Sequence, residues 1–182
     1  LRVLAGGDRC TVRCHDLAAM RSRATRIRCH GDYHLGQVLR RGTDWVLLDF
    51  EGEPLVPLAR RQDKHSPLKD VAGMLRSIAY AALHVRLQQP DLDAEAARSL
   101  TTGLRAWSAW ARAAFLGSYL EQAAGASFLP KREAHLRLLL GAFLLDKAFY
   151  EIRYELDNRP DWLPIPLEGL LELQQEPGMG AA

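Results

Sequence analysis

The chain has 182 residues, 48% of them hydrophobic and 25% charged, with a formal net charge of +2, figures that suit one domain with a buried core. So small a charge, with the arginines scattered and not blocked, excludes a polyanion-binding face, and no nucleic acid is expected as a partner. The longest apolar run, "LRLLLGAFLL" from Leu136 to Leu145, is broken by Arg137 and ends at Asp146, well short of the roughly 20 apolar residues of a bilayer span, so no membrane is expected either.

The first residues lack the basic-then-apolar order of a signal segment, which makes a reducing, cytoplasmic setting the expectation. Cys10, Cys14 and Cys29 are odd in number, with His15 and His30 beside two of them. Zinc ligands usually arrive as two paired units, and the second pair is missing here. Free thiols fit better. "HDLAAMRSRA" reads as a short amphipathic helix. "TRIRCHGDYHLGQVLRRGTDWVLLDFEGEP" is the segment with strand character: a brief run of Val46, Leu47 and Leu48 follows the "RRGTD" turn, and Gly52 and Pro54 end it.

Helix signals take over at Ser66, which can cap, with Pro67 at the first helical position and Asp70 in the first turn. Leu68, Val71, Ala72, Leu75, Ile78, Ala79, Ala82 and Leu83 then form one stripe. Pro90 stops this helix, and Asp93 caps a second that runs through Trp107, Trp110 and Phe115 to about Ala124. A third spans about Lys131 to Asp157, "NRP" ends it, and a short last helix follows "PIP". The expected fold is mainly α (α+β), a helical body with a small β-hairpin insert near its start. That insert holds the residues able to do chemistry.

"HGDYHLGQ" sets Asp32 and Gln37 five positions apart, and "LDFEGEP" brings Asp49 behind a short strand. Phosphoryl transfer from a nucleotide needs one base to orient the attacking hydroxyl and hard, oxygen-liganded cations to bridge the phosphates. A hairpin that folds Asp49 back beside the first loop meets that need, with Asp32 as base and Gln37 and Asp49 as Mg2+ ligands. His30 stands with Asp32 in the catalytic loop, its task being to pack and bond backbone so that the loop keeps its shape. His34 stands evenly between the same loop-shaping task and direct contact with substrate or a metal-bound water, and Glu51 either assists the metal through water, the reading favoured, or is merely solvated.

These motifs resemble the small-molecule kinases with a protein-kinase-like fold, typified by aminoglycoside phosphotransferases and choline kinases. Their H-G-D-x-H-x-x-N loop is similar to "HGDYHLGQ", and their I-D-F/W metal motif to "LDFEGEP". Gln37 in place of Asn, together with "SPLKDVAGMLRSIAYA" and "DKAFYEIRYELDNRPDWLPIPLEGL", points within that group to the maltokinases, including forms fused behind a trehalose synthase domain. The resemblance implies ATP as co-substrate, Mg2+ as cofactor, and phosphorylation of maltose at its anomeric hydroxyl, a step of trehalose and α-glucan metabolism. It further implies that Asp70 supports the catalytic loop backbone, beyond its fit to the helix dipole.

On the third helix Lys147, Tyr150, Glu151 and Tyr154 continue the stripe of Leu136, Leu140 and Phe143. Such a stripe is ordinarily core, with Lys147 snorkelling. An apolar stripe that turns into Lys-Tyr-Glu-Tyr also suits a sugar-binding wall, and the resemblance puts Lys147 and Tyr150 in the maltose site. "LARRQDKHS" reads as a solvated basic loop, and Trp107, Trp110 and Trp162 as packing residues.

No G-x-G-x-x-G or V-A-I-K pattern occurs, so residues 1–182 resemble only the C-terminal lobe of such a kinase. An N-terminal, ATP-binding lobe is expected from elsewhere, and the chain alone is expected to turn over slowly or not at all. Two rivals stand beside maltokinase: a lobe acting on an aminoglycoside or other small alcohol, and a non-catalytic carbohydrate-binding or scaffolding domain.

Overall fold

Helix α3, Leu68–Leu87, is the element around which the others are laid. Its start follows from Ser66, whose hydroxyl accepts from the Leu68 N–H at 3.4 Å, and from Pro67, already helical at φ −63. The expected stripe is buried from Leu68 to Ala82, with Leu83 half-buried. Gly73, Met74 and Arg76 are buried too, because helices pack on α3 from several sides and leave its first half no solvent face. In the computed structural model residues 7–53 and 56–175 are described; the "EPGMGAA" tail and Pro54 lie outside them, and so does the Cys10 side chain.

The second helix, α4, runs Ala94–Gln122, and the Asp93 carboxylate caps it by accepting from the Glu95 and Ala96 N–H groups at 2.9 and 2.8 Å. The third, α5, runs Glu133–Asn158. Both pack on α3. Leu68, Val71, Ala72 and Leu75 of α3 meet Leu140 of α5, with Phe115 and Tyr119 of α4 closing the cluster. Helix α6, Pro164–Gln175, adds a second cluster in which Leu170 and Leu173 meet Leu145 and Ala148. Each buried leucine contributes about 1.5–3 kcal/mol.

Beyond this cluster, α5 is fixed to α3 by ionised groups. Glu155, 2% exposed, accepts from the Tyr80 hydroxyl and is gripped by Arg159 at 2.8 and 3.0 Å. Arg159 in turn stacks over Trp162, which lies against His84, so Trp162 is a packing residue as expected. Trp107 and Trp110 are not: 47% and 72% exposed, they stand on the outer face of α4.

Three boundaries differ from the sequence reading. Helix α1 is Gly7–Ala19, not 15–24. It stops early because "RSRATR" offers no apolar stripe, and Thr25 instead donates its N–H to Ser127 O at 2.9 Å. The basic stretch at 58–66 holds a short helix, α2, Leu58–Arg61. Helix α6 begins at the first proline of "PIP", behind a 3-10 turn at Pro160–Trp162.

The strands are β1, Val38–Arg41, and β2, Asp44–Leu47, paired antiparallel with Arg41 opposite Asp44. Their two-residue turn is led by Gly42 at φ +63, where a Cβ would be strained. Leu39 and Trp45 are both more than half exposed on this hairpin, so no second layer covers them among the described residues.

Candidate active site

The loop from His30 to Gln37 is held on α3 at three points. Asp70 accepts the His30 N–H on Oδ2 at 2.7 Å and the Gly31 N–H on Oδ1 at 2.9 Å. Ser77 Oγ accepts the Leu35 N–H at 3.1 Å. Gly73 lies so close under the loop that a Cβ there would meet the Tyr33 carbonyl oxygen at 2.6 Å. Gly73→Ala is therefore expected to cost about 1–3 kcal/mol by overpacking and to displace Tyr33. Chemical denaturation measures the first effect and the amide shifts of residues 30–37 the second; wild-type values for both would contradict the contact.

A second loop, residues 48–53, crosses the first. Gly31 at φ +91 and Gly52 at φ +81 meet where a Cβ on Gly31 would lie 3.0 Å from Gly52 Cα, so both the turn and the close approach require glycine. The His30 ring joins the two loops. Its Nδ1 accepts the Asp32 N–H at 3.4 Å, which leaves the proton on Nε2 to donate to Leu48 O at 2.6 Å. The ring lies 4.8 Å from that of Phe50 and the residue is 7% exposed, so His30 ties the two loops together.

Two groupings result. In the first, Lys147 Nζ of α5 stands 3.6 Å from Asp32 Oδ1, 3.1 Å from Glu53 Oε2 and 4.5 Å from the centre of the Tyr150 ring. His34 Nδ1 accepts the Gly36 N–H, so in the neutral ring Nε2 carries the proton, 3.8 Å from Asp32 Oδ2. Burial, and then a hydrogen bond with Glu53, push the Tyr150 phenol up, so it remains a donor at neutral pH. Tyr154 continues the wall, its ring 6.3 Å from that of Tyr150. The second grouping is Gln37 and Asp49, with Gln37 Nε2 donating to Asp49 Oδ2 at 3.0 Å. Asp49 adopts φ 57, a left-handed conformation that Asp tolerates better than most residues.

A hard divalent cation fits this second pair. Both side chains end in oxygen donors, and a half-turn of the Gln37 amide replaces the N–H aimed at Asp49 by its carbonyl oxygen. No cluster of three or more His, Cys, Asp or Glu that could hold a metal occurs among the described residues, so the remaining ligands of a cation here would be water and phosphate oxygens.

Glu151 is placed differently from the sequence reading, and Glu53 is a site carboxylate that the sequence reading did not single out. Glu51 is exposed and makes no bond among the described residues. Glu53, two positions on and past the turn at Gly52, is the one that faces Lys147, with its side chain 11% exposed. Glu151, expected beside Lys147 and Tyr150, instead accepts from Arg76 Nε at 3.0 Å and Nη2 at 2.5 Å, both side chains being buried. A helix turns 100° per residue, so Glu151 sits a quarter-turn past Tyr150, toward α3.

Cys29 lies behind the first loop with its thiol 3.6 Å from the carbonyls of Ile27 and His65. Burial, and then the charge of Asp70, push that thiol up to about 11. A raised acid favours the fold below the thiol's ordinary range and loses that contribution as pH climbs toward 11. At pH 8 alkylation is expected to label exposed Cys14 well before Cys29. Peptide mapping checks this, and equal rates would contradict it.

No family model matches the chain. It is 34% identical over 147 residues to a glucosamine kinase of Mycolicibacterium smegmatis, covering 81% of this chain and 34% of that protein. It is 29% identical over 150 residues to a glucosamine kinase of Streptacidiphilus jiangxiensis, covering 82% and 32%. Among solved structures, a glucosamine kinase crystal form matches with a TM-score of 0.72 at 27% identity, over 94% of this chain and 39% of that one. A glucosamine kinase in complex with glucosamine, ADP and inorganic phosphate matches with a TM-score of 0.67 at 28% identity, over 79% and 34%. The expected fold class, a mainly helical kinase-like lobe with a small hairpin, is borne out. The chain spans about a third of the length of the curated relatives it matches. Its homologues are glucosamine kinases, which supports a sugar-kinase relationship coarser than maltokinase. No helix among the described residues is long and apolar enough to cross a membrane.

Proposed function

We propose that this chain is the catalytic and acceptor-binding lobe of an ATP-dependent sugar kinase, completed by an N-terminal lobe that packs on the exposed hairpin. The observation that carries this is Asp32 placed between Lys147 and His34, on a loop whose Gln37 touches Asp49 of the next loop. Asp32 accepts a hydrogen bond from the acceptor hydroxyl and takes its proton as the new O–P bond forms; the bond from the γ-phosphorus to the β,γ-bridging oxygen breaks, and ADP leaves. Lys147 fixes the carboxylate's orientation and the Tyr150 ring borders the sugar. Gln37 and Asp49 would hold Mg2+, which when bound offsets charge on the transferred phosphoryl group.

Glucosamine is the acceptor we favour, on two grounds. The named relatives are glucosamine kinases. In the first grouping two carboxylates, Asp32 and Glu53, face one ammonium, Lys147, an excess of negative charge that suits a cationic amino sugar. Maltose is the second reading, supported by the two stacked rings of Tyr150 and Tyr154, which offer aromatic faces to a sugar.

The test is ADP release by a polypeptide that joins this lobe to its N-terminal partner, with glucosamine, maltose, glucose or an aminoglycoside as acceptor. Turnover with glucosamine above that with maltose is expected. The reverse order would move the assignment to maltokinase, and no ADP with any acceptor, despite bound Mg-ATP, would favour a carbohydrate-binding or scaffolding domain.

A further inference from the structure

Helices α3, α4 and α6 enclose a second groove, lined by none of Asp32, Gln37, Asp49 or Lys147. Four guanidinium groups border it, Arg76 and Arg86 from α3 and Arg105 and Arg112 from α4, together with Ser108 and Gly169. Arg76 is 4% exposed, and it gives Nε and Nη2 to Glu151 on the α5 side. Its Nη1 has no partner among the described residues and lies against Gly169, where any Cβ would collide with it. The Ser108 hydroxyl is also buried and unpartnered.

The rest of the charge in this groove is incompletely matched. Arg105 pairs with Glu168, but Arg112 stands 3.7 Å from Glu172, beyond hydrogen-bond reach. Arg86 donates to the Gln89 carbonyl and meets no carboxylate. Four cations thus face three carboxylates, Glu151, Glu168 and Glu172, and the unused groups are N–H and O–H donors. A cation cannot satisfy such a set and a neutral sugar leaves its excess positive charge unmatched, whereas a compact anion with several acceptor oxygens can take guanidinium forks from more than one side.

We propose that this groove binds a phosphate-class oxyanion, either free phosphate or the phosphate of a phosphomonoester. Calorimetric titration with inorganic phosphate and, separately, glucose 6-phosphate distinguishes the two sources, with glucose as the neutral control. Saturable binding of at least one is expected, weakened at least about tenfold in the Arg86→Gln/Arg112→Gln variant, a loss of ~1.4 kcal/mol. Absence of binding to the wild type overturns the proposal, and so does equal affinity in a folded variant, which would put the ion elsewhere, for instance at the loops. Should the variant not fold, labelling of wild-type Arg86 with a dicarbonyl reagent decides: phosphate slows it where chloride of equal ionic strength does not, and equal rates overturn the site.

Discussion

Asp32→Asn is expected to lower the turnover of sugar phosphorylation by about 10^2- to 10^4-fold, with the acceptor KM changed far less. The amide keeps the size of the carboxylate but cannot take the acceptor's proton. The fold should tolerate the change, because Lys147 retains both contacts with Glu53 at 3.1 and 3.3 Å and the loop backbone is held by Asp70, not by Asp32. Steady-state kinetics with Mg-ATP and glucosamine, beside a thermal melt, give both readings. A variant with near wild-type kcat would remove Asp32 from the reaction, whatever its neighbours.

The largest effect on stability is expected at Glu151. Its carboxylate and the Arg76 guanidinium are 11% and 5% exposed, so the pair sits where water cannot replace either partner. Glu151→Ala strands a buried cation and is expected to cost about 3–5 kcal/mol, a fall of roughly 10 °C in thermal midpoint for a chain of this size. Removing both charges is a different perturbation. Arg76→Met/Glu151→Leu should recover most of the loss, since an apolar pair of similar volume needs no partner. Single and double variants that are equally destabilised would mean that the loss comes from packing around α5 and not from a stranded charge.

Much of the helical body was legible because its signals are local. Asp93 caps two N–H groups within three residues of itself, and the stripe from Leu68 to Ala82 repeats with the helical period. The hairpin was legible from "RRGTD", where Gly42 supplies the positive φ that the turn needs. What escaped depends on partners far along the chain. Helical spacing alone puts Glu151 on a face adjoining Lys147 and Tyr150; its tie to Arg76 spans 75 residues. The one available hint was an arginine inside an otherwise apolar stripe, which calls for a buried counterion.

The same distance effect explains Glu53. "EGE" presents two carboxylates of equal chemistry, and the one that turns inward, past the positive φ of Gly52, does so to meet Lys147, 94 residues further on. The reach of α1 went unseen because "GDRCTVRC" shows no apolar period. In the candidate site, the loops that carry Asp32, Gln37 and Asp49 were recognised by spacing and resemblance, and the structure brings Gln37 to Asp49 and Asp32 to Lys147. His30's part in shaping the loops is legible from its place before Asp32, whereas the hold of Asp70 on the loop backbone is anticipated only through the resemblance. An Asp in a first helical turn ordinarily serves its own helix.

In the proposed reaction Gln37 and Asp49 hold a divalent cation near Asp32. Paramagnetic broadening by Mn2+, added with ATP in place of Mg2+, tests it without relying on turnover. The ring signals of His34, whose Nε2 lies 3.8 Å from Asp32, should broaden in the wild type and sharpen again in Asp49→Asn. Broadening that is absent in the wild type, or that persists in Asp49→Asn, would contradict the claim.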